Sequence, residues 1–371
     1  MTSLWADFGG DTIGACTKRG PVFSVTRTTP GYRTNADGSI EDVGSGVART
    51  NHYAAGVARG GLLVEEARTF SGLWGRDLTN AAWVKSASMA AAKDATGVDG
   101  TVNAASTLTT SAATQTCLQT VTKTSASHAF GPYIKRKTGT GTVEITVNGG
   151  TNWQDVTSSL STTAWYRASE VRTVANPQFG FRIATSGDEI EVDFASFETG
   201  PQVTSPMLTE GAAVTRNADS IGTTDASWIS DTNGSLYVSA SVIANDPLQY
   251  FFTLNDGASN VSNSHLLFLD NDDRAQYQCL DGNVIQCQII GAVKSAATLI
   301  EAMISYGVND FAAAADGVSM GTDTSGTLPS SLARLQLGNR HYDLARPLNG
   351  TIYEVGYIPK TLPVGNLTAI T

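Results

Sequence analysis

The sequence is poor in charged residues and has no long hydrophobic run. Only 16% of its 371 residues are Asp, Glu, Lys or Arg, and 34 acids outnumber 24 bases. Nucleic-acid binding needs clustered Lys and Arg side chains to contact phosphates. The one basic run, Lys135-Arg136-Lys137, is typical of a solvated turn. No stretch approaches the roughly 20 apolar residues of a membrane span. The composition therefore predicts neither a nucleic-acid partner nor a membrane span.

The start of the chain lacks the pattern of a secretion signal. The first ten residues, from Met1 to Gly10, have no cationic beginning and no apolar core. We therefore expect synthesis in the cytoplasm, with release only as part of a larger particle.

Cysteine is scarce, and no two cysteines have the spacing of zinc ligands. Cys16 and Cys117 are isolated, whereas Cys279 and Cys287 lie eight positions apart. If Asp281-Gly282 formed a two-residue hairpin turn, Cys279 would face Val284 and the two sulfur atoms would be out of register. We expect buried thiols, since a disulfide here would require a longer loop.

Abundant glycine together with alternating apolar residues predicts an all-β chain. Val143, Ile145 and Val147 alternate with polar residues and precede Asn148-Gly149, a pair typical of a hairpin turn. Residues 296–306 favour a helix by residue propensity. Their apolar positions nevertheless repeat every second residue, which predicts a strand.

The length is enough for two or three domains. Residues 1–75 contain short apolar runs broken by Gly and Pro, which predicts an extended N-terminal arm that packs on the chain's own domains, on a neighbouring subunit or on the particle. Residues 76–200 and 222–371 each carry repeated strand patterns, and residues 201–221 have the features of a linker.

Several segments resemble those of phage-encoded virion proteins. The main one is RGGLLVEEART at residues 59–69, and it is accompanied by weaker matches at residues 23–27, 36–40, 48–53, 79–85, 197–201, 204–206 and 211–219. Residues 309–313, 335–338 and 348–352 resemble the closing strands of laminin-G or concanavalin-like domains. The resemblance implies two antiparallel β-sandwiches after the arm: a jelly-roll-like, carbohydrate-binding-like domain and a laminin-G/concanavalin-like domain.

The resemblance also implies a function. We expect a non-enzymatic structural protein at the surface of a phage or phage-like virion, such as a head fibre, a decoration protein or a tail-associated protein. Its arm would dock on other virion proteins, the chain would form a homo-oligomer, by analogy a trimer, and it could bind host-surface glycans. The alternatives are a polysaccharide depolymerase and a purely architectural spacer.

Two loops combine an aromatic ring with polar side chains, as sugar-binding sites do. The first is Trp153-Gln154-Asp155, which follows the Asn148-Gly149 turn. The second contains Arg340, Tyr342 and Asp343. Burial of each ring in the core is the alternative.

The densest group of oxygen ligands is Asp270, Asp272 and Asp273, with Asp256 upstream. Calcium prefers six to eight such oxygens, so a calcium site is one interpretation. A polar turn between strands is the other. We expect no other cofactor.

Glu66 and Arg68 belong to the RGGLLVEEART segment, and we interpret them as an ion pair that supports assembly. The chain offers no catalytic residue by pattern. No Ser or Cys motif accompanies His52, His128, His265 or His341, and we expect these histidines to be structural.

Overall fold

The computed structural model describes residues 4–20, 22–244, 248–258, 260–340, 342–344 and 346–371. His341 lies outside these residues. The fold is all-β, as predicted, and its strands pair antiparallel in the named sheets. The first strands are β1 (Leu4–Asp7), β2 (Thr17–Arg19), β3 (Ser24–Thr26), β4 (Gly31–Thr34), β5 (Ile40–Val43), β6 (Leu62–Val64), β7 (Arg68–Phe70), β8 (Val84–Lys85), β9 (Met89–Ala95), β10 (Ala105–Thr110), β11 (Gln115–Thr120), β12 (Ala126–Thr138), β13 (Val143–Thr146), β14 (Gln154–Asp155) and β15 (Tyr166–Arg167).

The later strands are β16 (Glu170–Val174), β17 (Gln178–Ile183), β18 (Glu189–Thr199), β19 (Val214–Arg216), β20 (Ser220–Thr223), β21 (Asn233–Val242), β22 (Gln249–Asn255), β23 (Ser264–Leu269), β24 (Arg274–Asp281), β25 (Val284–Val293), β26 (Ile300–Gly307), β27 (Asp310–Ala315), β28 (Val318–Asp323), β29 (Arg334–Leu337) and β30 (Gly350–Ile358). Short helices occur at α1 (Ile13–Cys16) and α2 (Val364–Ile370), with a 3₁₀ turn at Thr157–Ser159. Within the described residues, no helix has the length and apolar character to cross a bilayer.

The chain divides into two compact units. Unit 1 contains residues 1–36, 43–66 and 217–371, and unit 2 contains residues 37–42 and 67–216. The chain therefore passes between the units more than once: residues 37–42 and residues 67–216 belong to unit 2, and residues 43–66 between them belong to unit 1.

Unit 1 is a sandwich of two sheets around one hydrophobic core. The eight-stranded sheet has the order β2-β1-β30-β21-β26-β27-β28, with β6 also paired to β30. The seven-stranded sheet has the order β25-β24-β23-β22-β29-β20-β3. Strand β26 shows how the pattern produces the core: Ile300, Ala302 and Ile304 are buried in it, as the two-residue period predicts. The predicted strand at 296–306 is therefore confirmed at residues 300–307.

The described residues of the predicted arm at residues 1–75 pack on the chain's own domains, and they do so as strands of its sheets rather than as a separate extended segment. Strand β1 pairs with β30, with Leu4 opposite Tyr357, and Leu4, Phe8 and Phe23 are buried in the core of unit 1. Strands β3 and β6 are likewise built into the two sheets of unit 1. The sequence does not show this because the partner strands lie about 200 or more residues further along the chain.

Unit 2 is a second sandwich. One sheet has the order β15-β12-β18-β10-β9, to which β16, β7 and β19 add, and the other has the order β14-β13-β17-β11-β8. Rings from both sheets meet in the core, where Phe179 stacks on Phe197 with centroids 4.2 Å apart. Residues 87–95, which are rich in alanine, form strand β9 from Met89.

The predicted linker at residues 201–221 is divided between the units. Residues 201–216 belong to unit 2, where Gln202 and Thr204 are buried and β19 pairs with β7. Residues 217–221 belong to unit 1, where β20 joins the seven-stranded sheet. Buried residues of both kinds hold this segment in place: Thr204 donates hydrogen bonds to Glu198, and the apolar side chains of Met207 and Ile221 are buried.

The hairpin that contains two cysteines has a different register from the predicted one. Its turn residues are Gly282 and Asn283, both with positive φ, so Asp281 faces Val284. A bulge between Cys279 and Leu280 then shifts the pairing, and Cys279 lies opposite Cys287. Both thiols are buried and free, as expected for all four cysteines. The bulge, which no local pattern indicates, causes the difference.

Candidate functional site

In the first predicted sugar-binding loop, most of the side chains take part in contacts within unit 2. The Arg182 guanidinium lies 4.4 Å from the centroid of the Trp153 ring, and a Cβ on Gly150 would be 2.8 Å from that ring. Gln154 and Asp155 form β14, which pairs with β13 across a longer loop than the predicted tight hairpin. Hydrogen bonds from the side chain and backbone of Thr157 lower the pKa of Asp155. Trp153 therefore packs against its own turn and against Arg182.

The second predicted loop lies beside a pocket in unit 1. Arg340 donates to both carboxylate oxygens of Asp343, at 3.2 and 2.5 Å, and its guanidinium lies 5.1 Å from the centroid of the Tyr342 ring. The loop contacts β22, because the Tyr250 amide donates to the Arg346 carbonyl at 3.3 Å. Tyr342 is 36% exposed, so its ring is accessible to a ligand.

The pocket itself lies on the outward side of the seven-stranded sheet, and we call it the Tyr250 pocket. Its volume is about 390 Å³, and its lining includes Tyr250, Phe268, Asp270, Arg274, Gln276 and Gln278. Tyr250 and Phe268 are adjacent on β22 and β23, with centroids 5.0 Å apart and planes 14° apart. Burial raises the pKa of Tyr250, so its hydroxyl stays protonated and can donate a hydrogen bond.

One wall of the Tyr250 pocket is the turn that was interpreted as a calcium site. Asp270 accepts hydrogen bonds from the amides of Asp272 and Arg274 and from Nε of Arg274. Burial alone would raise the pKa of Asp270, but these hydrogen bonds hold it below its usual value. Asp272 lies 2.9 Å from the Arg274 guanidinium. Both carboxylates thus interact with Arg274.

The calcium interpretation is therefore not supported by the arrangement of the four acids. Asp256 follows β22 at the end where Asn255 faces Ser264, whereas Asp270, Asp272 and Asp273 follow the opposite end of β23. A six-residue strand spans about 20 Å, so Asp256 is too far away to share an ion with the others. In the part of the chain that the structure describes, no three His, Cys, Asp or Glu residues are grouped to hold a metal.

Glu66 and Arg68, the predicted assembly pair, lie in different units. In unit 1, the side chains of Glu66 and Asn349 hydrogen-bond at 2.9 Å. In unit 2, Arg68 is 8% exposed and donates to the Thr199 carbonyl at 2.5 Å. The contacts described for each side chain are therefore within its own unit, and they explain why these residue types occur there.

The other motif residues converge on two buried ionic clusters. In unit 1, Asp219 contacts Arg27 and Arg49, and Arg49 also contacts Glu65 at 2.6 Å. These four side chains are at most 1% exposed. Each comes from a different segment that carries the virion-protein resemblance, so this cluster gives these motif residues a structural role.

The cluster of unit 2 is built around Glu198. Its carboxylate accepts hydrogen bonds from the Thr204 amide and hydroxyl, at 2.8 and 2.7 Å, and Arg68 Nε lies 3.7 Å away. Arg216 donates to the same hydroxyl at 3.2 Å. Burial raises the pKa of Glu198, and the Thr204 hydrogen bonds and the two arginines oppose that rise.

The three described histidines are structural, as expected. Burial lowers the pKa of His52 to about 4 and that of His265 to about 3, so both are neutral at pH 7. His265 hydrogen-bonds to the Tyr277 hydroxyl at 2.9 Å and stacks on Tyr306. His128 stacks on Phe197.

Sequence reasoning missed Tyr250, Phe268, Gln276 and Gln278. A signal for the glutamines was present, because they alternate with Ala275, Tyr277 and Cys279, which fill the core. Nothing local places Tyr250 beside Phe268, since that contact depends on the register between β22 and β23.

Comparison with known proteins gives only distant similarity in structure. No protein-family model and no curated protein sequence matches the chain. The chain is similar to a variant of the NanB sialidase from Streptococcus pneumoniae, with 14% identity, a TM-score of 0.35, and coverage of 40% of this chain and 26% of that one. It is also similar to the CBM40 domain of the Ruminococcus gnavus IT-sialidase bound to α2,3 sialyllactose, with 16% identity, a TM-score of 0.33, and coverage of 38% and 82%. A SAP-like pentraxin from Limulus polyphemus matches with 10% identity, a TM-score of 0.29, and coverage of 37% and 69%.

Proposed function

We propose that this chain is a non-enzymatic structural protein of a phage or phage-like virion and that it binds host-surface glycans through the Tyr250 pocket. The motif resemblance supports the virion role. The proposed glycan binding rests on the pocket, whose lining combines aromatic rings, side-chain amides and an ion pair.

The composition of the pocket suits a saccharide. Its volume of about 390 Å³ is within the range of small-ligand sites. Tyr250 and Phe268, which line the pocket, offer apolar contact to sugar C–H groups. The amides of Gln276 and Gln278 both donate and accept hydrogen bonds, as sugar hydroxyls require.

The acids of the pocket favour binding over hydrolysis. Glycoside hydrolysis uses a carboxylic acid that remains protonated and a second carboxylate that acts as base or nucleophile. Asp270 has a lowered pKa, and both Asp270 and Asp272 contact Arg274. A carboxylate that is held ionised, as Asp270 is, is a poor proton donor, which argues for the binding protein rather than the depolymerase.

A position on the virion surface would make weak binding effective. Closed symmetric assembly presents several copies of one site, and linked sites bind far more tightly than a single site. We therefore include a homo-oligomer, with a trimer as the expected form, in the proposal. Mass photometry of the purified protein measures the subunit number, and labelling of intact particles with an antibody to the chain tests the location.

A glycan array tests the binding role directly. We expect the intact protein to bind a subset of glycans and the variant Gln278→Ala to lose that signal. Gln288→Ala is a matched control, because Gln288 is the cross-strand partner of Gln278 and is exposed. Absence of binding by the oligomer, or equal binding by both variants, would contradict the Tyr250 pocket as a glycan site.

A further inference from the structure

The outward face of the eight-stranded sheet in unit 1 carries a row of aromatic residues. Gly356 on β30 is the Cα partner of both Trp5 on β1 and Tyr237 on β21. A Cβ on Gly356 would be 2.6 Å from two atoms of the Trp5 ring, so the indole lies over the glycine. The Trp5 and Tyr237 rings are parallel within 3°, with centroids 6.1 Å apart. Trp5 is 39% exposed and Tyr237 is 5% exposed, so a buried ring supports an accessible one.

A polar row runs beside the aromatic row, two residues further along each strand. Asp7, Glu354, Ser239 and Glu301 are successive Cα partners on β1, β30, β21 and β26. The two rows are therefore about 7 Å apart, which is two residues of a strand. A sugar ring over the indole would have its hydroxyls above the polar row.

Arg59 adds a hydrogen-bond donor to this row of acceptors. Its Nη2 donates to the Ser239 hydroxyl at 2.5 Å, and its Nη1 lies 3.8 Å from Glu354. The Tyr237 hydroxyl donates to Glu301 at 2.9 Å, which orients that carboxylate. Leu4 and Ala6, on either side of Trp5, are buried in the core of unit 1. The core therefore uses the other face of β1 and does not account for an exposed tryptophan here.

We propose that this surface, the Trp5 face, is a second saccharide-binding site and that it takes a neutral oligosaccharide. The indole would pack against the C–H face of one sugar ring, as aromatic side chains do in sugar sites. Carboxylates and a guanidinium would bind the hydroxyls, because hydrogen bonds to charged groups are stronger than neutral ones.

The negative charge of the polar row favours a neutral saccharide over an acidic one. Three carboxylates, from Asp7, Glu301 and Glu354, line the polar row, with Arg59 among them and Arg19 beside Trp5 at the sheet edge. Burial raises the pKa of Glu354, and Asp7 and Glu301 raise it further, although Arg59 opposes the shift. A sugar acid would add another negative charge to this row. A neutral sugar would not.

The two sites lie on opposite sides of unit 1. The Tyr250 pocket is on the outward side of the seven-stranded sheet, the Trp5 face is on the outward side of the eight-stranded sheet, and the core lies between the sheets. One copy of unit 1 can therefore hold two saccharides at once. The proposal for the Trp5 face rests on different residues from the proposal for the Tyr250 pocket, so an experiment can contradict one and leave the other unaffected.

Calorimetric titration of the full chain tests the Trp5 face. The probes are neutral tetrasaccharides of glucose, galactose or mannose, with tetragalacturonic acid as the acidic comparison. We expect Trp5→Ala to weaken binding of a neutral tetrasaccharide by about tenfold, a typical aromatic contribution. Glu354→Gln keeps the shape of the row, and we expect it to weaken the neutral probe and strengthen the acidic one. Trp165→Ala in unit 2 is the control and should change neither.

Three results would overturn the proposal. Equal affinity of the native protein and Trp5→Ala for every neutral probe would exclude the indole as a contact. Tighter binding of tetragalacturonic acid than of the neutral probes would refute the ligand class. A change of subunit number in Trp5→Ala with unchanged sugar binding would identify the face as a subunit contact. If Gln278→Ala binds saccharides as the native protein does while Trp5→Ala loses binding, the result contradicts the Tyr250 pocket as a glycan site and supports the Trp5 face.

Discussion

Nη1 of Arg27 donates a hydrogen bond to Oδ1 of Asp219 at 2.7 Å, although 192 residues separate the two in the chain. The second carboxylate oxygen of Asp219 accepts from Arg49. One buried carboxylate therefore contacts two guanidiniums, and Glu65 contacts the second of these at 2.6 Å. This arrangement joins Arg27, Arg49 and Glu65, in the two N-terminal segments of unit 1, to Asp219, in its C-terminal segment.

Loss of the Asp219 charge should destabilise unit 1 strongly. Asp219→Asn leaves two buried guanidiniums with one carboxylate, and breaking a buried ion pair costs about 3–5 kcal/mol. We expect a matching decrease in the free energy of unfolding in urea, followed by tryptophan fluorescence. Asp225→Asn is the control, because Asp225 is exposed, and its unfolding midpoint should not move. Equal stability of both variants would contradict a structural role for the cluster.

Gly200 should tolerate no side chain. A Cβ at this position would be 1.6 Å from Nη1 of Arg68, so alanine would displace the guanidinium from Glu198 and Thr199. Overpacking of this kind costs about 1–3 kcal/mol. We expect Gly200→Ala to lower the melting temperature of unit 2. Gly211→Ala, the same change at an exposed site where the nearest atom is 3.6 Å away, should leave it unchanged.

Arg68→Ala separates a structural role from the proposed role in assembly. Glu198 would lose one of its buried cationic neighbours, so we expect unit 2 to unfold at a lower temperature. Mass photometry below that temperature then reports the subunit number. Dissociation of a still-folded protein would support the assembly role. An intact oligomer of lower stability would show that Arg68 stabilises only its own unit.

Acid should destabilise unit 1 through His265. Its folded pKa is about 3, below the ordinary value of 6.5, so the unfolded chain binds the proton first. The stability that comes from neutral His265 is complete above about pH 6.5 and declines as the pH falls toward 3, by about 1.4 kcal/mol per pH unit. Removing this titration with His265→Gln should make the free energy of unfolding less dependent on pH. Parallel curves for both proteins between pH 6.5 and pH 4 would refute this.

Calcium should not affect stability. Asp256 lies at the opposite end of the β22–β23 hairpin from Asp270, and Asp270 and Asp272 already contact Arg274. We expect equal melting temperatures with 5 mM CaCl₂ and with EDTA. A rise of several degrees with calcium, abolished by Asp270→Asn, would restore the calcium interpretation.

Local patterns predicted the elements of the fold better than their arrangement. The two-residue period at residues 300–306 was enough to indicate a strand and its buried face, because alternation is a property of neighbouring residues. The turn at Asp281-Gly282 was displaced by one residue, and the bulge at Cys279 altered the pairing beyond it. Register depends on the partner strand as well, so local sequence could not specify it.

The sequence by itself determined that the chain is all-β, that its cysteines are buried thiols, and that the three described histidines are structural. These follow from composition, periodicity and the absence of companion motifs, all of which can be read along the chain. Only the tertiary structure decided that residues 4–8 complete a sheet with β30 and that motif residues meet in buried ionic clusters. It also placed Trp5 opposite Gly356 and brought Tyr250 and Gln276 to the lining of one pocket. These contacts join residues far apart in sequence, and strand pairing and burial determine them.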